Sequence, residues 1–392
     1  MIKTYQFRLY PSKKQENMLH NALGLARFAY NRQLELKIQT YQSSGKNFSQ
    51  FDLNNSLIEL KKANPFLLKL HSQALQNINQ RIAFAFENFY GRIRNGKKAG
   101  FPRFKGKGRY DSITYPQSGF SLENKLYVSK IGNISIVQHR EIQGKIKTLT
   151  IKCTPTKKWF ASFSAEQEKE IAPNRKLNPI GIDVGLCHFY ADSRGNFVDN
   201  PRWLRKSGQK LAKLQKKHSR KKIGSINRQR SRLKVALIHE KIANQRQDFL
   251  HKESRKLANC YSYIGIEKLT IKNMINNHHL AKSIADASWQ KFRQMLAYKV
   301  EETGGKLVEV NAWGTSQYCI CGNRVEKTLA IRIHKCNKCG VEIDRDIMSA
   351  IVIEKLALFG TTAGSAGSNA WEDERDLTFC VEPRISSISC FS

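Results

Sequence analysis

Apolar positions change their period along the chain, and each change predicts a different kind of element. Residues 4–10, TYQFRLY, alternate with Tyr5, Phe7 and Leu9 on one face, which predicts a half-buried strand. Pro11 and Ser12 end it, and Ser12 is placed to cap a helix. From 13 to 95 the period is helical: Leu75, Ile78, Ile82 and Phe86 recur at steps of three and four, with Gln80 and Arg81 facing elsewhere. Residues 92–110, RIRNGKKAGFPRFKGKGRY, are glycine-rich and basic and predict no regular element. Residues 111–168 return to short alternating runs (SITY, KLYVS, NISIV, KTLTIKC, WFASFSA), turning at Glu123-Asn124 and Ile131-Gly132-Asn133. With the N-terminal strand these predict a small β-barrel, into which the helices of 13–95 are inserted.

After Pro173 and Pro179 the texture becomes α/β. LNPIGIDVGL reads as a buried strand, and CHFYADSRGNFVDN as a hairpin turning at Ser193-Arg194-Gly195-Asn196. Residues 202–256 are helical and basic. YSYIGIEKL (261–269) and GKLVEVN (305–311) are further strands. NNHHLAK, around His278-His279, reads as loop, and 286–302 as an amphipathic helix with Trp289, Phe292, Leu296 and Val300 inward. A last helix is expected from about Asp346 to Leu358. Beyond Phe359 the text GTTAGSAGSNAWEDERD reads as a disordered tail.

Composition narrows the class. A length of 392 residues predicts two or three modules, and 40% hydrophobic residues exclude global disorder. Lys and Arg number 67 against 32 Asp and Glu, a formal charge of +35, which fits a polyanionic partner such as nucleic acid. There is no basic amphipathic anchor, no apolar run long enough for a membrane span and no signal-peptide core. The expectation is therefore a soluble protein of the cytoplasm with no membrane partner. The charge concentrates in 202–256, where 19 Lys or Arg face only Glu240, Asp248 and Glu253. Lys216, Lys217, Arg220, Lys221, Lys222, Arg228, Arg230 and Arg232 are the candidate phosphate contacts there. In the loop, Arg103, Lys105 and Lys107 interleave with Phe101, Phe104 and Tyr110, cations for phosphates and rings for bases.

Three carboxylates stand where chemistry is expected. Asp183 is flanked by Ile180 and Ile182, so an ionised side chain there needs a cation or hydrogen bonds. Glu267 follows an interior run in IGIEKL, and Asp346 opens a helix in EIDRDIMSAIV. Asp, Glu and Asp on strand, strand and helix make a set able to hold two divalent ions about 4 Å apart, and hard oxygen ligands favour Mg²⁺ or Mn²⁺. Four of the nine cysteines crowd into YCICGNR (318–324) and KCNKCGVE (335–342), which reads as metal binding. Cys336 and Cys339 have the usual two-residue gap before Gly340, whereas Cys319 and Cys321 are separated by Ile320 alone, a strained chelate for which His334 is an alternative ligand. The expected ion is a structural Zn²⁺. Cys153, Cys187 and Cys260 read as core residues.

The order GIDVGL, IGIEKL, TSQYCICG with KCNKCG, then DRDIMSA resembles the TnpB family, RNA-guided nucleases of bacterial insertion sequences akin to type V CRISPR effectors. So do RQDFLHKESRKLANCYSYIGIEKL, DASWQKFRQMLAYKVEETGGKLVEVN and the opening QFRLYPSKKQENML with its later GFPRFK, over about residues 2 to 357. The resemblance implies an α/β multidomain protein: a RuvC-like RNase H fold (173–310 and 342–358) with an inserted zinc ribbon (311–341), a β-barrel wedge domain (1–10 and 108–172) and a helical recognition domain (11–107). The tail would be 359–392. It implies a guide RNA from the transposon end, a double-stranded DNA target cut beside a short motif, and no small-molecule substrate. It assigns catalysis to Asp183, Glu267 and Asp346 and zinc binding to Cys319, Cys321, Cys336 and Cys339. Two positions depart from the family: the one-residue gap of the first cysteine pair, and Met348, where the family carries Asn. Met348 leaves a second reading, a guided DNA-binding regulator that does not cut. A strand-transferring transposase would need a nucleophilic Tyr or a His pair such as His278-His279.

Overall fold

The computed structural model describes residues 2–168, 175–311, 314–328 and 331–359. The composition break at Pro173 and the tail from 360 onwards lie outside the described residues. Two compact units divide the chain, Met1–Lys169 and Glu170–Ser392. No helix among the described residues is long and apolar enough to cross a membrane.

In the first unit β1 (Ile2–Tyr10) buries Tyr5, Phe7 and Leu9, the alternation read from the sequence. Ser12 then caps α1 (Lys13–Ser44): its hydroxyl accepts from the Gln15 N–H, and the Gln15 side chain accepts from the Ser12 N–H. Gly45, at φ +67°, ends that helix. After α2 (Gln50–Ala63) and α3 (Ser72–Arg94), which supply Leu53, Leu57, Leu75, Ile78 and Ile82 to the core, the chain becomes all strand. The strands are β2 (Ser112–Tyr115), β3 (Phe120–Leu122), β4 (Leu126–Val128), β5 (Gly132–Val137), β6 (Lys145–Cys153) and β7 (Trp159–Glu166). They pair in the order β2-β6-β7-β1-β5-β4-β3, with β1 at the centre. Phe120 of β3 and Phe163 of β7 are four strands apart in that order, about 19 Å in a flat sheet, yet their ring centroids are 6.4 Å apart. The sheet is therefore rolled into a β-barrel around those rings. The three-residue β3 has no alternating run long enough to be read from sequence.

The second unit holds a five-stranded sheet. A meander of β8 (Pro179–Val184), β9 (His188–Asp192) and β10 (Phe197–Asp199) is antiparallel, and β11 (Tyr263–Glu267) and β12 (Lys306–Val310) add in parallel on the β8 side, giving β10-β9-β8-β11-β12. Between β10 and β11 run α4 (Trp203–Ser219) and α5 (Ile226–Cys260). Then come α6 (Ile271–Met274), α7 (His278–Ala287) and α8 (Trp289–Glu302). The expected loop at His278 is a helix, because the Asn277 side chain accepts from the His279 N–H and caps it. Ser288, at φ +57°, separates α7 from α8. The short strands β13 (Ile333–Lys335) and β14 (Glu342–Asp344) pair before α9 (Arg345–Phe359).

The two faces of this sheet differ residue by residue. Ile180, Ile182 and Val184 of β8 and Ile264 and Ile266 of β11 pack with Leu250 and Leu257 of α5 and Phe292, Leu296 and Val300 of α8. The alternate positions, Gly181 and Asp183, Gly265 and Glu267, take the opposite face. There α9 lies so close that a Cβ at Gly181 would stand 1.9 Å from the Ala350 carbonyl oxygen, and one at Gly265 would stand 2.8 Å from the Ala357 Cβ.

Candidate active site and cysteine cluster

The glycine two residues before each strand acid sets the approach of α9. Ala350 lies over Gly181, while Glu354, one turn later, meets Arg194, which also donates to the Pro179 carbonyl at 2.9 Å. The helix thus runs antiparallel to β8. Going back four residues from Ala350 covers about 6 Å of helix, and going forward two residues from Gly181 covers about 6.6 Å of strand. Those steps end at Asp346 and Asp183. Glu267 is one step beyond the Ile266–Ile182 pair of the parallel ladder, as Asp183 is, so the two acids share a level on adjacent strands.

Asp183, Glu267 and Asp346 are all half-buried. Burial, and then the charges of Glu267 and Asp346, push the Asp183 carboxyl well above the usual carboxylate range, with Arg345 pulling the other way. Burial raises Glu267 too, against a hydrogen bond donated by the Thr315 hydroxyl. Asp344 accepts from the Asp346 N–H at 2.8 Å and so caps α9 and fixes its first turn. Arg332 places one guanidinium nitrogen 3.8 Å from the Asp346 carboxylate and donates from another to the Cys187 sulfur at 3.2 Å. A cleft of about 220 Å³ opens beside Glu267, lined by Thr270, Lys272, Trp289, Gln290 and Arg293. Thr315 and Asp344 carried no sequence signal, because a hydroxyl or a cap acquires its role only once the partner strand is in place.

On the other side of α9 the four thiols gather. The sulfurs of Cys319, Cys321, Cys336 and Cys339 all lie within 4.8 Å of one another, with Cys319–Cys339 at 3.5 Å and Cys321–Cys336 at 3.6 Å. A tetrahedral Zn²⁺ with bonds of about 2.3 Å needs sulfurs about 3.8 Å apart. The cluster is thus able to hold a metal ion. The short first gap does not prevent this: its turn closes from Gly322 N–H to Cys319 O, one residue sooner than the Gly340-to-Cys336 turn of the second knuckle, and both glycines take positive φ. Burial alone would raise the Cys336 thiol, but the N–H groups of Cys339 and Lys338 and the Asn323 amide bring it down to about 6. His334, the alternative ligand, is buried against the Lys327 ammonium instead.

Other expectations are corrected. Met348 is buried with Cys319, Cys336 and Val352, on the side of α9 about 200° from Asp346, so it does not stand among the acids. Cys187 is exposed, because it sits in the β8–β9 turn, while Cys153 and Cys260 are half-buried. Tyr110 is buried beneath Arg81 and against Tyr30, which removes it from any base-stacking set. Phe101 packs edge-on against Phe86 and Phe89, and Phe104 is exposed. Lys105 is tied to α1 through Asn31 on both its N–H and its carbonyl, while Arg103 and Lys107 are exposed. Lys216, Lys217, Arg220, Lys221, Lys222, Arg230 and Arg232 are exposed, whereas the Arg228 guanidinium donates to the Lys221 and His218 carbonyls.

The chain resembles known proteins over most of its length. Residues 162–278 match the OrfB_IS605 family, described as "Probable transposase", residues 289–353 match the Cas12f1-like TNB domain, and residues 1–46 match a helix-turn-helix domain family. A "Putative RNA-guided DNA endonuclease" of Streptomyces pristinaespiralis is 32% identical over 372 residues, covering 92% of this chain and 91% of that one. A second, InsQ of Escherichia coli K12, is 29% identical over 371 residues, covering 89% and 90%. Among solved structures, a Cas12f1–sgRNA–target DNA complex superposes with a TM-score of 0.55 at 13% identity, covering 90% of this chain and 98% of that one, a likeness of fold. Sharing its sequence with such relatives over nine-tenths of its length, the chain belongs to the TnpB family of transposon-encoded nucleases, kin to the type V CRISPR effectors.

Proposed function

We propose that the chain is an RNA-guided, metal-dependent DNA endonuclease of a bacterial insertion sequence, cutting its target beside a short motif. The observation that carries this reading is the approach of α9 over Gly181 and Gly265, which directs Asp346 toward the sheet edge where Asp183 and Glu267 share a level on adjacent strands. Relatives matching some nine-tenths of the chain bear that activity in their names. The donor set is hard oxygen, and a divalent cation beside Asp183 would relieve the repulsion that the charges of Glu267 and Asp346 exert on it. Mg²⁺ or Mn²⁺ held by these three residues would supply Lewis-acid assistance to phosphodiester hydrolysis, giving 5′-phosphate and 3′-hydroxyl ends. The chain's own contribution is positional: Gly181 and Gly265 seat α9, Asp344 fixes its first turn, Thr315 orients Glu267, and a cleft opens beside Glu267.

In this reading residues 173–310 and 342–358 are a RuvC-like, RNase H-type nuclease domain, supported by the antiparallel meander extended by parallel strands. Residues 311–341 are a zinc ribbon, with Zn²⁺ on the four thiolates supported by their near-tetrahedral spacing. Residues 1–10 and 108–172 are a β-barrel wedge domain, and 11–107 a helical recognition domain. The guide RNA pairs with one strand of a DNA duplex while the protein holds backbones. Exposed Lys216, Lys217, Arg220, Lys221, Lys222, Arg230 and Arg232, with Arg103 and Lys107, are the cations offered to phosphates. The site of action is the cytoplasm, at the nucleoid when bound to DNA.

The test is Asp183→Ala in the protein–RNA complex, with labelled duplex and Mg²⁺. Guided cleavage should fall by about 10³-fold with RNA retention unchanged. Undiminished cutting would remove Asp183 from the site.

A further inference from the structure

Cations line α4 and the start of α5 up to the turn between them, and that turn carries two exposed isoleucines. Ile223 is 84% exposed and Ile226 67%, and Ile223 is the most exposed large apolar side chain among the described residues. A single exposed aliphatic group is ordinary, but two at the tip of a hairpin otherwise built of Lys and Arg are not explained by solvation. The turn is also fixed in place. The Ser225 hydroxyl donates to the Lys222 carbonyl at 2.8 Å and accepts from the Arg228 N–H at 3.1 Å. The Arg228 guanidinium donates to the Lys221 carbonyl at 2.6 Å, and Gly224 takes φ +85° to close the bend. A cation drawn back into its own backbone, rather than offered outward, holds the two isoleucines clear of the protein.

We propose that Ile223 and Ile226 form an apolar wedge that enters the end of a nucleic-acid double helix and unstacks its terminal base pair. Branched, stiff side chains give up little rotamer freedom on insertion, and the faces of bases are the apolar surface such a tip can bury. Charge complementarity selects nucleic acid as the occupant. Lys216, Lys217, Arg220, Lys221 and Lys222 lie before the tip and Arg230 and Arg232 after it, so phosphates can be held on both sides while the tip meets the stack. The inference rests on the RNA-guided reading in that the guide–target heteroduplex supplies the helix end.

The experiment uses the full chain at saturating concentration with a preformed RNA–DNA heteroduplex carrying 2-aminopurine in its terminal pair, or in an interior pair as control. The native protein should raise terminal fluorescence by about threefold or more and leave the interior probe unchanged. Ile223→Ser with Ile226→Ser should abolish most of that rise and weaken binding about two- to tenfold, while Ile223→Leu with Ile226→Leu should keep it. No terminal rise with the native protein, an equal rise with the serine pair, or an equal loss with the leucine pair would each overturn the wedge. Because neither guide loading nor cutting is needed, the outcome is independent of whether Asp183→Ala bears out the endonuclease reading.

Discussion

The two faces of the five-stranded sheet are built from the same strands by opposite rules. Toward α5 and α8 every second residue is a branched aliphatic, and the face closes on Phe189, Phe292, Leu296 and Val300. Toward α9 the alternate positions are glycine and acid, which gives up apolar burial to bring a helix backbone against the strands. Apolar packing is concentrated on the first face, and the candidate acids stand on the second. A strand of period two can carry both because neighbouring residues answer to different partners.

The largest break in this contrast should come from Gly181→Val. Its branched side chain meets the Ala350 carbonyl and the Glu354 N–H, so α9 must lift and carry Asp346 away. Guided cleavage should become undetectable, and unfolding by denaturant should show a loss of about 3 kcal/mol or more. A variant cutting at native rates would show that the approach of α9 does not set the acids.

A smaller effect is expected from the outer side of α9. Cys336→Ser leaves three thiols and loosens the cluster on which Met348 and Val352 pack. Bound zinc, measured by metal analysis, should fall below one per chain. The melting temperature should drop by about 5 °C, with cleavage reduced about tenfold rather than abolished. Unchanged melting after metal loss would detach the cluster from the stability of α9.

The smallest effect tests the apolar side. Lys299 of α8 is buried and donates to Ser254 Oγ and the His251 carbonyl, and burial, with Arg255 nearby, lowers it from 10.5 to about 8. The unfolded chain therefore holds this proton more tightly than the folded one. Its contribution is unfavourable below pH 8 and is relieved as pH rises from 8 to 10.5. Lys299→Met should flatten that part of the pH–stability curve, a change of roughly 1–3 °C in melting, and leave cleavage alone. A changed cutting rate at pH 8 would mean that the two faces are coupled.

What the residues disclosed in advance depended on whether a role was local. The cysteine pairs are close in sequence and the strands alternate visibly, so the cluster, the barrel strands around Phe7 and the hairpin at Ser193 could be read directly. Asp183, Glu267 and Asp346 were legible as carboxylates in apolar or helix-opening settings, a local anomaly. The approach of α9 that the proposed site requires was not, because it depends on Gly181 and Gly265 admitting that helix, and a glycine in a strand does not say what will approach it. Tyr110 and Cys187 went the other way: one ring expected outside is covered by Arg81, and one thiol expected inside stands on a turn. Burial at such positions is decided by the neighbouring element, not by the residue.

The match between a four-residue helical step and a two-residue strand step works as a vernier. The two scales coincide where Ala350 meets Gly181 and drift apart by about half an ångström with each further division. Removing a single residue between Asp346 and Ala350 would leave the fit of the rest of α9 to the sheet almost unaltered while swinging Asp346 through about 100°. The register of that turn, more than the strength of any one contact, sets where the last acid points.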